Sequence, residues 1–384
     1  MYLATDAVSP ARPTESHVRA LDGIRGLAIL LVLAVHTVIA SGIPADSLSM
    51  RLLTLVASAG WCGVDLFFVL SGYLITGILW DAKDTRHYFR NFYARRTVRI
   101  FPLYYGFLLV YLVLRPLMTG HPAGVTACWF WLYLANYSIA FRPEAVEASL
   151  TVLWSLAIEE QFYLVWPAVV RVLSRRVLLF VCAALVPGAL LARILLILFV
   201  HRAYPPYMLT FARLDTLAIG AFIALATRSG GGVRALTPIA RPVALASAGC
   251  VMVLFVWRHG LGHTDPVVQT IGFTALALLF GSLLVLVLGS DGPSPYRRVF
   301  ENPALCMFGL YSYAIYLLHL PVIVRLQWVF ARAGLDKGLA GSALAAQLLF
   351  SLLAVGTSLL VALGSWHAYE KHWLKLKRFF PRRA

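Results

Sequence analysis

Charge is scarce in this chain. Asp, Glu, Lys and Arg make up 13% of its 384 residues, about half the ~25% of an average soluble domain. Acidic residues are the scarcer kind, 17 against 33 basic ones. Cysteine is sparse too. Cys62, Cys128, Cys182, Cys250 and Cys306 are scattered with no CxxC pair, which argues against both a disulfide framework and a thiolate metal site. The chain holds no P-loop, HExxH, GxSxG or dinucleotide fingerprint, so nucleotide-loop, zincin, serine-elbow and Rossmann chemistries have no support. Heptads, repeats and low-complexity blocks are also missing. The first twenty residues, MYLATDAVSPARPTESHVRA, have no apolar core. No cleavable signal is expected there, and the first helix is read as the insertion signal.

Apolar length is abundant instead, with 60% of residues hydrophobic. Runs long enough to cross a bilayer recur from end to end. They lie near 23–43, 60–80, 100–117, 151–170, 177–200, 210–227, 242–257, 267–289, 304–330 and 341–366. The expected fold is therefore an all-α polytopic membrane protein of about ten transmembrane helices. It divides into a short N-terminal segment (1–22), a membrane domain (23–366) and a basic tail (367–384). An eleventh stretch, Thr126–Ala140, is short and aromatic. With that stretch kept out of the count, 23 Lys and Arg fall in loops on the side of the termini and 7 on the other. Short basic loops stay in the cytoplasm. Both termini are thus expected inside a plasma or inner membrane, with Thr126–Ala140 interfacial or re-entrant outside. The net charge of +16 is read as contact with anionic lipid, with no nucleic-acid partner.

Ionisable residues inside such helices are costly and are read as functional. Leu21–Thr37 carries Arg25 and His36. Eleven residues apart, they share one helix face about 16 Å apart along the axis. With helix directions assigned from charge, His36, Glu159 and Asp65 fall about 10, 12 and 8 Å below the outer edge. Arg213 and Asp215 begin a helix on the same side. A histidine oriented by a carboxylate is equipped to take a proton from a hydroxyl, while interhelical salt bridges would use the same residue types. On the opposite side, Arg95, Arg96 and Arg99 cluster at a helix start, where guanidinium groups suit phosphate. Ser312, Tyr316 and His319, at i, i+4 and i+7, form one polar stripe on an apolar helix.

Together these residues resemble the membrane-bound acyltransferase 3 family of bacterial O-acyltransferases. Arg25 and His36 match its Arg-x10-His motif. The stretches GVDLFFVLSGYLIT (63–76), FYARRTVRIFPLYY (92–105), WSLAIEEQFYLVWP (154–167), RLDTLAIGA (213–221) and YSYAIYLLHLP (311–321) follow in the family's order. The resemblance implies transfer of an acyl group, acetyl above all, from acyl-CoA to a hydroxyl of a glycan, lipid-linked sugar or macrolide-like glycoside. It implies His36 as base, with Glu159 or Asp65 orienting it. Arg25, Arg95, Arg96 and Arg99 would hold the donor. Ser71, Tyr163, Arg213, Asp215, Ser312, Tyr316 and His319 would line the substrate pocket. Acyl-CoA would be a co-substrate, with no resident cofactor and no metal. Acceptor contacts are expected in the outer loops Ser41–Ala59 and Arg115–Leu150. Oligomeric state, a homo-oligomer included, is left open. The competing class is a transporter or flippase using His, Glu and Asp as a proton relay. Against it, no inverted repeat and no matched pair of broken helices is visible.

Overall fold

The computed structural model describes residues 18–114, 116, 127–228, 231–290 and 294–381. Most of the expected N-terminal segment, parts of the outer loop 115–150 and the last three residues of the tail lie outside the described residues.

Among the described residues the protein is helical, with one isolated bridge, Leu339–Ser342, and no strand. Eight helical runs are long and apolar enough to cross a membrane. Each expected span coincides with a helix. They are α1 (Arg19–Ile39), α3 (Gly63–Asp81), α4 (Tyr88–Leu109), α5 (Leu153–Val172), α6 (Arg175–Val200), α7 (Leu214–Ala226), α8 (Thr237–Trp257), α9 (Phe273–Leu288), α11 (Ser312–Arg332) and α12 (Ala343–Ser365). Two of these fall short of the eight. α5 carries Glu159, Glu160 and Gln161, and α7 has only 13 residues. The chain is an all-α, multi-pass membrane protein.

Three local features differ from the sequence reading. The expected loop Ser41–Ala59 contains a helix, α2 (Leu48–Ser58), started by Ser47, whose side chain accepts from the Met50 N–H. A Ser N-cap followed by spaced apolar residues is a helix signal that the loop assignment overlooked. The span 304–330 is two helices, α10 (Pro303–Leu310) and α11, broken at Tyr311. The aromatic stretch forms two short helices, Ala127–Trp131 and Ala135–Phe141, separated by Tyr133 at φ 54°. At 1.5 Å per residue each spans about 8–11 Å, far below the ~30 Å hydrocarbon layer. Carbonyls of this stretch accept from Tyr104 (2.8 Å) and Tyr105 (3.1 Å) of α4 and from Gln161 (2.8 Å) of α5, so it packs against the bundle wall.

Close helix crossings depend on glycine. A Cβ on Gly72 of α3 would sit 2.0 Å from the Leu217 carbonyl oxygen, and one on Gly220 of α7 2.0 Å from that of Val69. Small residues let backbones approach where no hydrophobic force drives helices together. Beside this crossing lies a buried ion-pair network. Arg213 pairs with Asp65. Arg193 Nη1 lies 2.8 Å from Asp215, and its Nη2 donates to Thr274 at 2.7 Å. All four charged side chains are fully buried. They join α3, α6, α7 and α9. Burying charge is tolerable only when it is paired in this way.

Candidate active site

α1 carries Arg25, which lines the cavity described below, near one end and His36 near the other. His36 Nδ1 lies 2.8 Å from the Val32 carbonyl, one turn back. It also lies 3.3 Å from Nε2 of His319 on α11. The rings meet edge to face, with centroids 4.9 Å apart. His319 is wholly buried, and its Nδ1 faces the carbonyls of Ile315 (3.1 Å) and Tyr316 (2.8 Å). A carbonyl only accepts. In the neutral rings, therefore, both Nδ1 atoms carry the proton, an assignment made from the hydrogen-bond network. His319 Nε2 then turns a lone pair to the His36 Nδ1–H, which it shares with Val32. His36 Nε2 is left as the basic atom of a half-buried ring.

A cavity of about 210 Å³ opens between α1, α3, α4, α5 and α11. Among the described residues, Arg25, Arg96 and Arg99 line it, against one carboxyl group, that of Glu159. Ser155, Glu159 and Tyr163 form an i, i+4, i+8 stripe of α5 along its wall. Glu159 lines the cavity together with Ser71 and Tyr163, whose hydroxyls hydrogen-bond to each other. The Arg96 guanidinium lies 5.4 Å from the Tyr163 ring centre. Ser312 and Tyr316 of α11 complete the wall. Tyr316 bonds to Ser155 at 2.5 Å, and its ring lies 5.9 Å from that of His319. The cavity thus runs from a cationic end to a hydroxyl-lined end whose neighbour is the histidine pair.

Several expected residues stand elsewhere. The hydrogen bonds of His36 run to Val32 and His319, whereas the expectation gave it a carboxylate, Glu159 or Asp65. Asp65 is tied to Arg213, and Asp215 to Arg193, in the buried network. None of these four residues borders the cavity, and neither does His36 or the expected pocket residue His319, which stands behind Tyr316. An arginine at close range is a stronger partner for a buried carboxylate than a neutral imidazole. Arg95 points away from the cavity and donates to carbonyls of the C-terminal segment. One residue step around a helix is about 100°, so Arg96 reaches this cavity and Arg95 does not. Ser155 escaped the sequence reading, although its i, i+4 relation to Glu159 was a usable signal. No signal pairs His36 with His319, 283 positions apart. Among the described residues, no three His, Cys, Asp or Glu side chains are grouped to hold a metal ion.

The fold and the site define a helical membrane protein with a basic, hydroxyl-lined cavity leading toward a histidine pair. Residues 18–367 match the model of the acyltransferase 3 family, described as an acyltransferase domain, and the chain belongs to that family. It is similar to the peptidoglycan O-acetyltransferase OatA of Listeria monocytogenes, 29% identical over 81% of this chain and 50% of the relative. The O-acetyltransferase OatA of Staphylococcus aureus is 27% identical over 79% of this chain and 50% of its own length. The putative peptidoglycan O-acetyltransferase YrhL of Bacillus subtilis is 36% identical over 40% of this chain and 24% of that protein. The chain spans about half the length or less of these relatives. No solved structure matches it.

Proposed function

We propose that this protein is an integral-membrane O-acyltransferase. It moves an acyl group, acetyl by analogy with the relatives, from acyl-CoA to a hydroxyl of a glycan. Family membership supports the reaction class, and the relatives' activity on peptidoglycan points to a hydroxylated saccharide as acceptor. The observation that carries the reading is the His36–His319 pair, which leaves His36 Nε2 free to accept a proton.

In this reading the donor's phosphates rest on Arg96, Arg99 and Arg25, and its thiol arm runs the length of the cavity. Arg25 and His36 are about 16 Å apart along α1, a distance for an extended arm to bridge. The acceptor O–H gives its proton to His36 Nε2 as its oxygen attacks the thioester carbon. The C–S bond breaks, and the departing thiolate takes the proton back from His36, leaving free CoA and the ester. The carbonyl of Val32 and the lone pair of His319 both face the His36 Nδ1–H, so the imidazolium is stabilised as it forms. We place the Arg96 end and both termini in the cytoplasm of an inner or plasma membrane, on the 23-to-7 basic asymmetry. The relay reading gains less support, because Asp65 and Asp215 are bound to arginines.

The test incubates membranes holding the protein with labelled acetyl-CoA and hydroxylated glycan acceptors, and identifies products by mass spectrometry. His36→Ala should lower transfer by about 10²–10⁴-fold while the protein remains inserted. Label reaching the acceptor equally well with His36→Ala refutes the assignment. Solute movement without label transfer would favour the transporter.

A further inference from the structure

A second, smaller cavity of about 50 Å³ lies against the first, lined by Ile78, Phe92, Arg95, Arg96, Arg99 and Lys377. Among the described residues that line it, four are cations and none is acidic. Arg96 and Arg99 border both cavities, so their side chains form the wall between them. Lys377 comes from the far end of the chain. After α12 a π-turn, Trp366–Glu370, bends the helix, and the segment continues through Lys371–Leu374 and Lys375–Phe379.

Four hydrogen bonds pin this segment to α4. Arg95 Nη1 donates to the carbonyls of Lys377 (3.3 Å) and Phe380 (2.8 Å). Asn91 Nδ2 donates to that of Pro381 at 2.8 Å, and Tyr369 donates to that of Pro102 at 3.2 Å. Arg95 is thereby engaged with backbone, and the Lys377 side chain is turned inward. Lys377 is half-buried, whereas Lys375 and Arg378 beside it are exposed. Basic residues serving only lipid attraction would all face outward. Arg96 and Arg99 bring two guanidinium groups to this hollow, and an anion with several charges bound there accepts from both. Glu370 faces Arg99 from the start of the segment but does not line the hollow.

We propose that the C-terminal segment Trp366–Pro381 is a wall of the donor's phosphate site. Lys377 closes that site opposite Arg96 and Arg99, while Arg95 and Asn91 hold the segment in place. The ligand is a phosphate group, taken here as the diphosphate of acyl-CoA, and the proposal rests on the acyl-CoA reading above. A phospholipid headgroup offers the same chemistry, and the test separates the two.

The full chain is placed in phosphatidylcholine nanodiscs and titrated with CoA by calorimetry. Lys377→Ala should weaken binding by about tenfold, the effect of one lost charge-assisted contact. Lys377→Arg, which keeps the charge, should restore it. Asn91→Ala should weaken CoA binding and expose the segment to proteolysis, although Asn91 carries no charge. If Arg99→Ala weakens binding and Lys377→Ala does not, the donor reading stands and the segment's role is refuted. If the wild-type chain binds no CoA, both fall. A third arm uses discs containing phosphatidylglycerol and counts retained lipid by native mass spectrometry. Loss of phosphatidylglycerol from Lys377→Ala with unchanged CoA affinity would assign the phosphate to lipid and overturn the proposal.

Discussion

His319 Nε2 stands 3.3 Å from His36 Nδ1, and the Nδ1 of His319 is itself capped by two main-chain carbonyls. Such a pair has a direction. The buried ring accepts and the half-buried ring donates, so His319 can hold His36 in one tautomer but has no outlet for a proton. His319→Ala should therefore lower kcat by about 10–100-fold, a part of the full 10²–10⁴-fold effect of the base. KM for the acceptor should stay near wild type. His319→Gln, whose side-chain oxygen can accept from His36, should recover part of the loss. A variant that loses acceptor affinity at unchanged kcat would instead make His319 a substrate contact.

The three neighbouring arginines of α4 should behave differently from one another. Arg96 and Arg99 line the main cavity, while Arg95 binds main-chain carbonyls of the C-terminal segment. Arg96→Ala and Arg99→Ala should each raise KM for acyl-CoA by about tenfold or more, as expected for a lost charge-assisted contact of roughly 1.5–3 kcal/mol. Replacement by Lys should leave them impaired, because an ammonium cannot reproduce a bidentate guanidinium contact. Lipid attraction, in contrast, tolerates Lys. Full activity of both Lys variants would rule out phosphate clamping by these two residues.

Topology can be checked beside the short aromatic helices. Ser149 is buried, but Ala148 next to it is exposed. Ala148→Cys, in a background where the exposed Cys128 is Ser, should react with a membrane-impermeant maleimide added from outside intact cells. Reaction only after the cytoplasmic face is opened would invert every later loop and contradict the positive-inside assignment.

The buried ion pairs should matter for folding more than for substrate affinity. Arg193→Met leaves Asp215 without its guanidinium partner in a fully buried place, a change that typically costs about 3–5 kcal/mol. The double variant Arg193→Met, Asp215→Asn should regain thermal stability in detergent, since no uncompensated charge remains. If Asp215→Asn alone keeps wild-type stability and raises acceptor KM, Asp215 belongs to the substrate pocket after all.

Glycine at the α3–α7 crossing gives a sharper packing test. Gly220→Val puts a side chain where even a Cβ would lie 2.0 Å from the Val69 oxygen, whereas a Cβ on Gly249 of α8 would meet nothing beyond its own helix within 4 Å. Gly220→Val should abolish a monodisperse peak on size exclusion, and Gly249→Ala should leave it intact. Equal behaviour of the two would show that this crossing is looser than the geometry requires.

Much of this protein was legible from its sequence, because the relevant signals are local. Apolar length and basic asymmetry need no knowledge of the fold, and each of the ten expected spans coincides with a helix. The 3.6-residue period put Arg25 with His36, and Ser312 with Tyr316, on single faces before any neighbour was known. The break at Tyr311 and helix α2 were less legible, because a helix end in an apolar run depends on what packs against it. Which residue meets which across helices was beyond local reading altogether. The same depth in the membrane suggested that a carboxylate orients His36. Helix order and rotation instead delivered Asp65 to Arg213 and brought His319 to His36 across 283 positions. Adjacent Arg95 and Arg96 diverge because one step around a helix turns the side chain by about 100°. Composition and periodicity determined the class, the spans and the polar faces. Tertiary structure alone decided the partners, because a buried charge or ring settles with whichever group the packing of distant helices places within hydrogen-bond reach.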